Sequence, residues 1–217
     1  MDDQTFSDQL RASTEQTWRR AVTHRFVEEL FTGSVPEGVL RTYLVQDHQF
    51  VDRFVALLGE AASTADRADS RMALARQLGT VGGAENTYFQ RSFDALGVAE
   101  PDRLRPRLHP TTTAFNELMD EARTSGSYAR CLSVLAVAEW LYLDWAQRAP
   151  AELPAGFICR EWIELHRGPD FAAWVGWLRG ELDRVGRELE DEQREACRAL
   201  FTRATQLEAD FFDAAYE

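Results

Sequence analysis

The chain contains no lysine at all. Its 24 basic residues are arginines set against 36 Asp and Glu, for a formal net charge of −12. Phosphate backbones repel so acidic a chain, and nucleic acid is excluded as an expected partner. Cysteine is scarce as well. Cys131, Cys159 and Cys197 are odd in number and form no C-x-x-C pair, which argues against a disulfide framework or a zinc site and fits a reducing cytosol. No apolar run reaches the roughly 18 residues of a membrane span. The acidic opening Met1-Asp2-Asp3-Gln4 lacks the hydrophobic region of a signal peptide, so a cytoplasmic protein is expected. A Gly-rich phosphate loop and a G-x-S-x-G elbow are both missing. The four histidines, His24, His48, His109 and His166, lie far apart in sequence. Glu85 is followed three residues on by Tyr88, where a di-iron helix would carry histidine. The expectation is therefore no metal and no organic cofactor.

What is present is helical periodicity. With 217 residues, 45% of them hydrophobic, the chain can bury a sizeable core. Phe6 to Val22 reads as a first helix and Phe26 to Phe31 as a short second one that stops at Gly33. Pro36 suits the first position of a third, where its missing N–H costs nothing. Ala68 to Leu96 is helical with a break or bend near Gly82-Gly83, and a loop with Pro101, Pro106 and Pro110 follows. Thr111 to Arg123, Ser127 to Gln147, Phe157 to His166, Pro169 to Glu188 and Asp191 to Tyr216 complete the set. No strand, linker or repeat is evident. Residues 1–217 read as one all-α helical-bundle domain of eight or nine helices.

The segment from Val134 to Tyr142 is an apolar helical run with one acid, Glu139, set inside it. Ionising a carboxylate in such a site is costly, so the acid must be paired, neutral or functional. Tyr142, three residues on, shares its helix face. Asp47 shares a face with Tyr43, Phe50, Leu40 and Phe54; pairing with Arg41 or Arg53 at the rim would be its ordinary role. Periodicity alone makes Glu208 an exposed helix acid and His166 a helix-end residue with a capping or dipole role. These residues do not by themselves specify a reaction.

Three segments resemble the TenA family, also called thiaminase II. The first holds Trp18, His24-Arg25-Phe26, Thr32-Gly33, Tyr43-Leu44 and Gln46-Asp47, similar to the family's W, H-P-F, G and Y-L-x-Q-D-Y-x-Y. The second holds His109-Pro110-Thr111, Ala114-Phe115 and Trp140-Leu141-Tyr142. The third, Glu208 with Phe211 to Tyr216, is close to the closing E-x-x-F-W-D-x-A-Y. The resemblance implies a haem-oxygenase-like helical fold, a homo-oligomer (a tetramer in the family) and action on pyrimidine products of thiamin breakdown.

Departures from the pattern refine this. Members with thiaminase activity read P-C-x-W-x-Y where this chain has Val137-Ala138-Glu139-Trp140-Leu141-Tyr142, so Ala138 takes the place of the nucleophilic cysteine. Cys131 lies two helical turns away, roughly 10 Å along the axis, too far to substitute. His48 and Phe50 replace the two tyrosines of Q-D-Y-x-Y, Phe115 replaces the tyrosine after H-P-T, and His166 replaces a pocket tyrosine. This resembles the cysteine-less, glutamate-containing branch, associated with hydrolysis of amino- or formylamino-pyrimidines in thiamin salvage. By resemblance Asp47 would bind the ring nitrogen and exocyclic amine, and Phe50, Phe115, Tyr142 and His166 would line the substrate site. Glu208 would transfer protons, and Glu139 would activate water in place of the thiolate. A non-catalytic ligand-binding or regulatory relative, or an oxidase on the same fold, is the alternative.

Overall fold

The computed structural model describes residues 4–217; the acidic tripeptide that opens the chain lies outside them. Among the described residues the regular structure is helical throughout. The elements are α1 (Phe6–Ser13), α2 (Glu15–Val22), α3 (Arg25–Thr32), α4 (Glu37–Thr64), α5 (Ala68–Thr80), a π turn (Val81–Glu85), α6 (Asn86–Ala95), α7 (Glu100–Leu104), α8 (Pro110–Thr124), α9 (Tyr128–Gln147), α10 (Phe157–Arg167), α11 (Pro169–Gly186) and α12 (Asp191–Ala214). No described helix is long and apolar enough to cross a membrane.

The centre of the bundle is α9, which packs against α12, α11, α4, α10 and α8. Its apolar residues wrap the whole circumference, as a helix buried on every side requires. Leu132, Leu135, Val137 and Leu141 are fully buried, and each such side chain contributes about 1.5–3 kcal/mol by leaving water. Ser127 caps its N-terminus by accepting from Arg130 N at 3.4 Å. The long helices α4 and α12 lie against it. Together they carry the acids that face inward.

Boundaries differ from the sequence expectation where the local chemistry is ambiguous. The stretch expected as one helix from Phe6 to Val22 is two, parted at Thr14 (φ −114°, ψ 11°), whose hydroxyl turns back on Arg11 O. Pro36 is the N-cap of α4 rather than its first residue, with ψ 138°. The proline-rich loop contains a short helix, α7, that uses Pro101 in its first turn. Gly33 ends α3 with φ +68°, and a Cβ there would sit 2.8 Å from Pro154 Cβ, so both backbone and packing require glycine.

Two of the four histidines are helix caps. His24 Nδ1 accepts from Phe26 N at 3.0 Å and His109 Nδ1 from Thr111 N at 3.2 Å. Each Nε2 then carries the proton and donates, to Asp213 at 2.9 Å and to Glu217 at 3.0 Å. The H-x-F and H-P-T triplets are therefore helix starts, and neither histidine lines the cavity described below.

Candidate active site

Helices α4, α8, α9, α10, α11 and α12 and the π turn line a two-chambered cavity. The outer chamber has about 400 Å³ of empty space, part of it open to solvent. Asp47, Phe50, Glu85, Ala138, Glu139, Tyr142, Trp162, His166 and Phe171 are among the residues lining it. The inner chamber, with room for about one water molecule, is lined by Asp47, Phe50, Phe115, Tyr142, Glu208 and Phe211. Asp47, Phe50 and Tyr142 belong to both walls and so join the two. All seven residues singled out in the sequence thus face one space. His48 does not line it; it rests edge-on against Phe89 and Phe93.

The acids of this cavity have almost no partners. Asp47 and Glu208 are 4% and 2% exposed, and Asp47 Oδ2 and Glu208 Oε1 have no hydrogen-bond partner. Arg41, the rim arginine expected to pair with Asp47, instead binds Glu37 and the carbonyl of Leu96. Nor is Glu208 the exposed acid that periodicity suggests. Burial raises the pKa of both groups far above the ordinary carboxylate range; Glu85 adds to the effect at Asp47, and Asp47 and Glu139 add to it at Glu208. Glu139 accepts from Trp174 Nε1 at 2.7 Å and Gln77 Nε2 at 3.3 Å. Burial still pushes it up to about 8, with Trp174 opposing and nearby Glu85 reinforcing the rise.

Glu85 is the acid that sequence reasoning missed. It ends the π turn, and burial raises it to about 7. It makes no hydrogen bond or ion pair to a described residue. The Gly82-Gly83 pair, separated from it by Ala84, marked only a bend in the sequence. Single π turns inside helices recur at functional sites.

The remaining wall is aromatic and neutral. Tyr43 and Tyr142 share a hydroxyl–hydroxyl bond of 2.7 Å, and burial holds both phenols well above their usual pKa. Phe50 and Phe115 meet edge to face at 4.8 Å. His166 lies in the last turn of α10, where it is buried and its Nδ1–H donates to Trp162 O at 2.8 Å. Burial depresses its pKa to about 4. It therefore offers a neutral Nε2 acceptor. Such a site can hold a flat heterocycle and supplies several carboxyl groups poised to exchange protons near neutrality.

None of the three cysteines lines the cavity. All are buried, and burial pushes Cys131 to about 12 and Cys159 to about 11 and raises Cys197 as well. We expect none to react with a thiol reagent in the folded protein and all three to react in denaturant. Loss of turnover on stoichiometric labelling of the native protein would contradict this.

The fold and cavity define a haem-oxygenase-like helical protein with an acid-lined pocket. A domain with a heme oxygenase-like fold from Shewanella denitrificans superposes with a TM-score of 0.69 at 13% identity, covering 96% of this chain and 90% of that one. A TenA homologue from Pyrococcus furiosus gives 0.86 at 20% identity, over 97% of this chain and all of the other. A structure described as a TenA family transcription regulator, from Silicibacter sp. TM1040, gives 0.85 at 24%, over 95% and 94%. The chain belongs to the TENA/THI-4/PQQC family, whose model matches residues 11–217. Among its relatives, the aminopyrimidine aminohydrolase of Bacillus subtilis is 22% identical over 211 residues, covering 97% of this chain and 89% of the relative. That of Helicobacter pylori is 22% identical over 218 residues, covering 97% and 98%.

Proposed function

We propose that this protein hydrolyses a C–N bond of an amino- or formylamino-pyrimidine produced by thiamin breakdown, with water as the nucleophile. The observation that carries the reading is the pairing at α9: Ala138 and Glu139 both line the outer chamber, so the wall that lacks a thiol presents a carboxyl group instead. The two named relatives, aminopyrimidine aminohydrolases each 22% identical, support the same class of reaction.

Division of the cavity suggests the division of labour. The ring lies against Asp47, Phe50 and Tyr142, the wall that the two chambers share. Asp47, whose burial favours the protonated carboxyl, donates to a ring nitrogen and accepts from the exocyclic amine, and Glu208 delivers a proton at the ring. The substituent to be cleaved extends into the outer chamber, where Glu139 takes a proton from water. Glu139 can act as that base near neutrality because its pKa of about 8 gives it both the proton affinity and a usable ionised fraction.

The test is ammonia or formate release from the two pyrimidines by purified protein, with thiamin as a third substrate. Water is a weaker nucleophile than a thiolate, so we expect turnover of a pyrimidine and little or no cleavage of thiamin. Tight pyrimidine binding without turnover would favour a non-catalytic binding protein. Efficient thiamin cleavage would show that the missing thiol is immaterial.

A further inference from the structure

The outer chamber carries an imbalance that the reaction above does not use. Glu85 and Glu139 face it from different elements, the π turn and α9, and Asp47 stands at its inner end. No arginine lines either chamber, and the chain has no lysine. His166 is held neutral with its proton on the Trp162 side. Elsewhere the protein pairs its buried acids carefully: Glu181 accepts from Ser70, Tyr128 and Arg184. The cavity acids instead include two unpartnered oxygens, on Asp47 and Glu208, both more than nine-tenths buried. Leaving such groups unpaired costs stability. A ligand that brings a positive charge would relieve that cost.

We propose that Glu85 is the specificity-determining residue of this cavity: its carboxylate pairs with a protonated exocyclic amine, so the site takes cationic aminomethyl heterocycles in preference to their neutral N-acyl counterparts. This rests on the proposed pyrimidine hydrolysis and chooses between its two substrates. The cation is also a leaving group that already holds its proton. The balanced step is pyrimidine–CH2–NH3⁺ + H2O → pyrimidine–CH2–OH + NH4⁺. Water oxygen forms the new C–O bond, the C–N pair leaves with nitrogen as ammonia, and the proton that water loses passes by way of Glu139 to that ammonia. Cleaving an N-formyl group would instead build negative charge on a carbonyl oxygen, which needs convergent donors. The outer wall shows no such set: no arginine lines it, and the indole N–H of Trp162 is itself buried.

The experiment compares kcat/KM for the aminomethyl-pyrimidine and its N-formyl derivative in the wild type and in Glu85→Gln, with a thermal melt of each. We expect the wild type to favour the amine by about 10- to 100-fold, the range for one charged hydrogen bond made or lost. Glu85→Gln should bring that ratio to within about threefold, through KM for the amine, because the amide keeps the shape and loses the charge. Equal or better use of the formyl compound by the wild type would overturn the inference even if the variant failed to fold. A variant that slows both substrates equally would overturn it too. Binding of neither compound would instead reject the hydrolase reading, and this inference with it.

Discussion

Glu208→Gln is expected to lower kcat on the preferred pyrimidine by about 10²–10⁴-fold, the usual contribution of a positioned proton donor, while the dissociation constant changes by only about threefold. The side chain is 2% exposed, one of its oxygens has no partner, and burial together with Asp47 and Glu139 favours its protonated form. Glutamine fills the same space and can still hydrogen-bond in the inner chamber. It cannot give up a proton. The loss should therefore fall on turnover and spare binding. Equilibrium titration beside single-turnover kinetics separates the two, and a kcat within about threefold of wild type would remove Glu208 from the chemistry.

Glu139→Gln should abolish turnover to a similar extent and yet raise the melting temperature at alkaline pH. The sign follows from proton binding. The ordinary carboxyl pKa of 4.5 becomes about 8 in the folded protein. Between those values the folded state holds more protons than the unfolded state, so stability falls as pH rises through the window and is flat above about 8. One pKa unit corresponds to about 1.4 kcal/mol, so the cost of this group at pH 8 is on the order of a few kcal/mol. Glutamine removes the charge and keeps an oxygen for the Trp174 indole, which now donates to Glu139 at 2.7 Å. The variant should melt several degrees above wild type at pH 8 and close to it at pH 5. Destabilisation at both values, with turnover per folded molecule unchanged, would make Glu139 a structural acid. The expected exchange of stability for activity is common at sites that hold unpaired charge.

Much of the helical content was legible because its signals are local. Three- and four-residue spacing marks α4, α9 and α12, and the positive φ of Gly33 falls where a glycine was read as a stop. The split at Thr14 was not legible, since threonine is no breaker and its hydroxyl bond to Arg11 is a detail of geometry. The short α7 was hidden for the opposite reason: prolines mark both loops and first turns.

For the cavity, the sequence by itself determined that Glu139 is enclosed, because residues apolar on every side of it leave no wet face for the helix. It also determined that no thiol stands at position 138. Only the tertiary structure decided the fate of the other acids. Periodicity places Asp47 and Glu208 on helix faces but cannot say what lies opposite. The packing of α4 and α12 onto α9 buries both acids without a cation. Glu85 depends on it most, because nothing in its local sequence distinguishes it from the many solvated glutamates of an acidic chain. A π turn that contains two glycines places it on the wall of the outer chamber, which Glu139 also lines. Solvation is a property of the assembled bundle, and whether an acid is solvated or enclosed determines its protonation and therefore its chemistry.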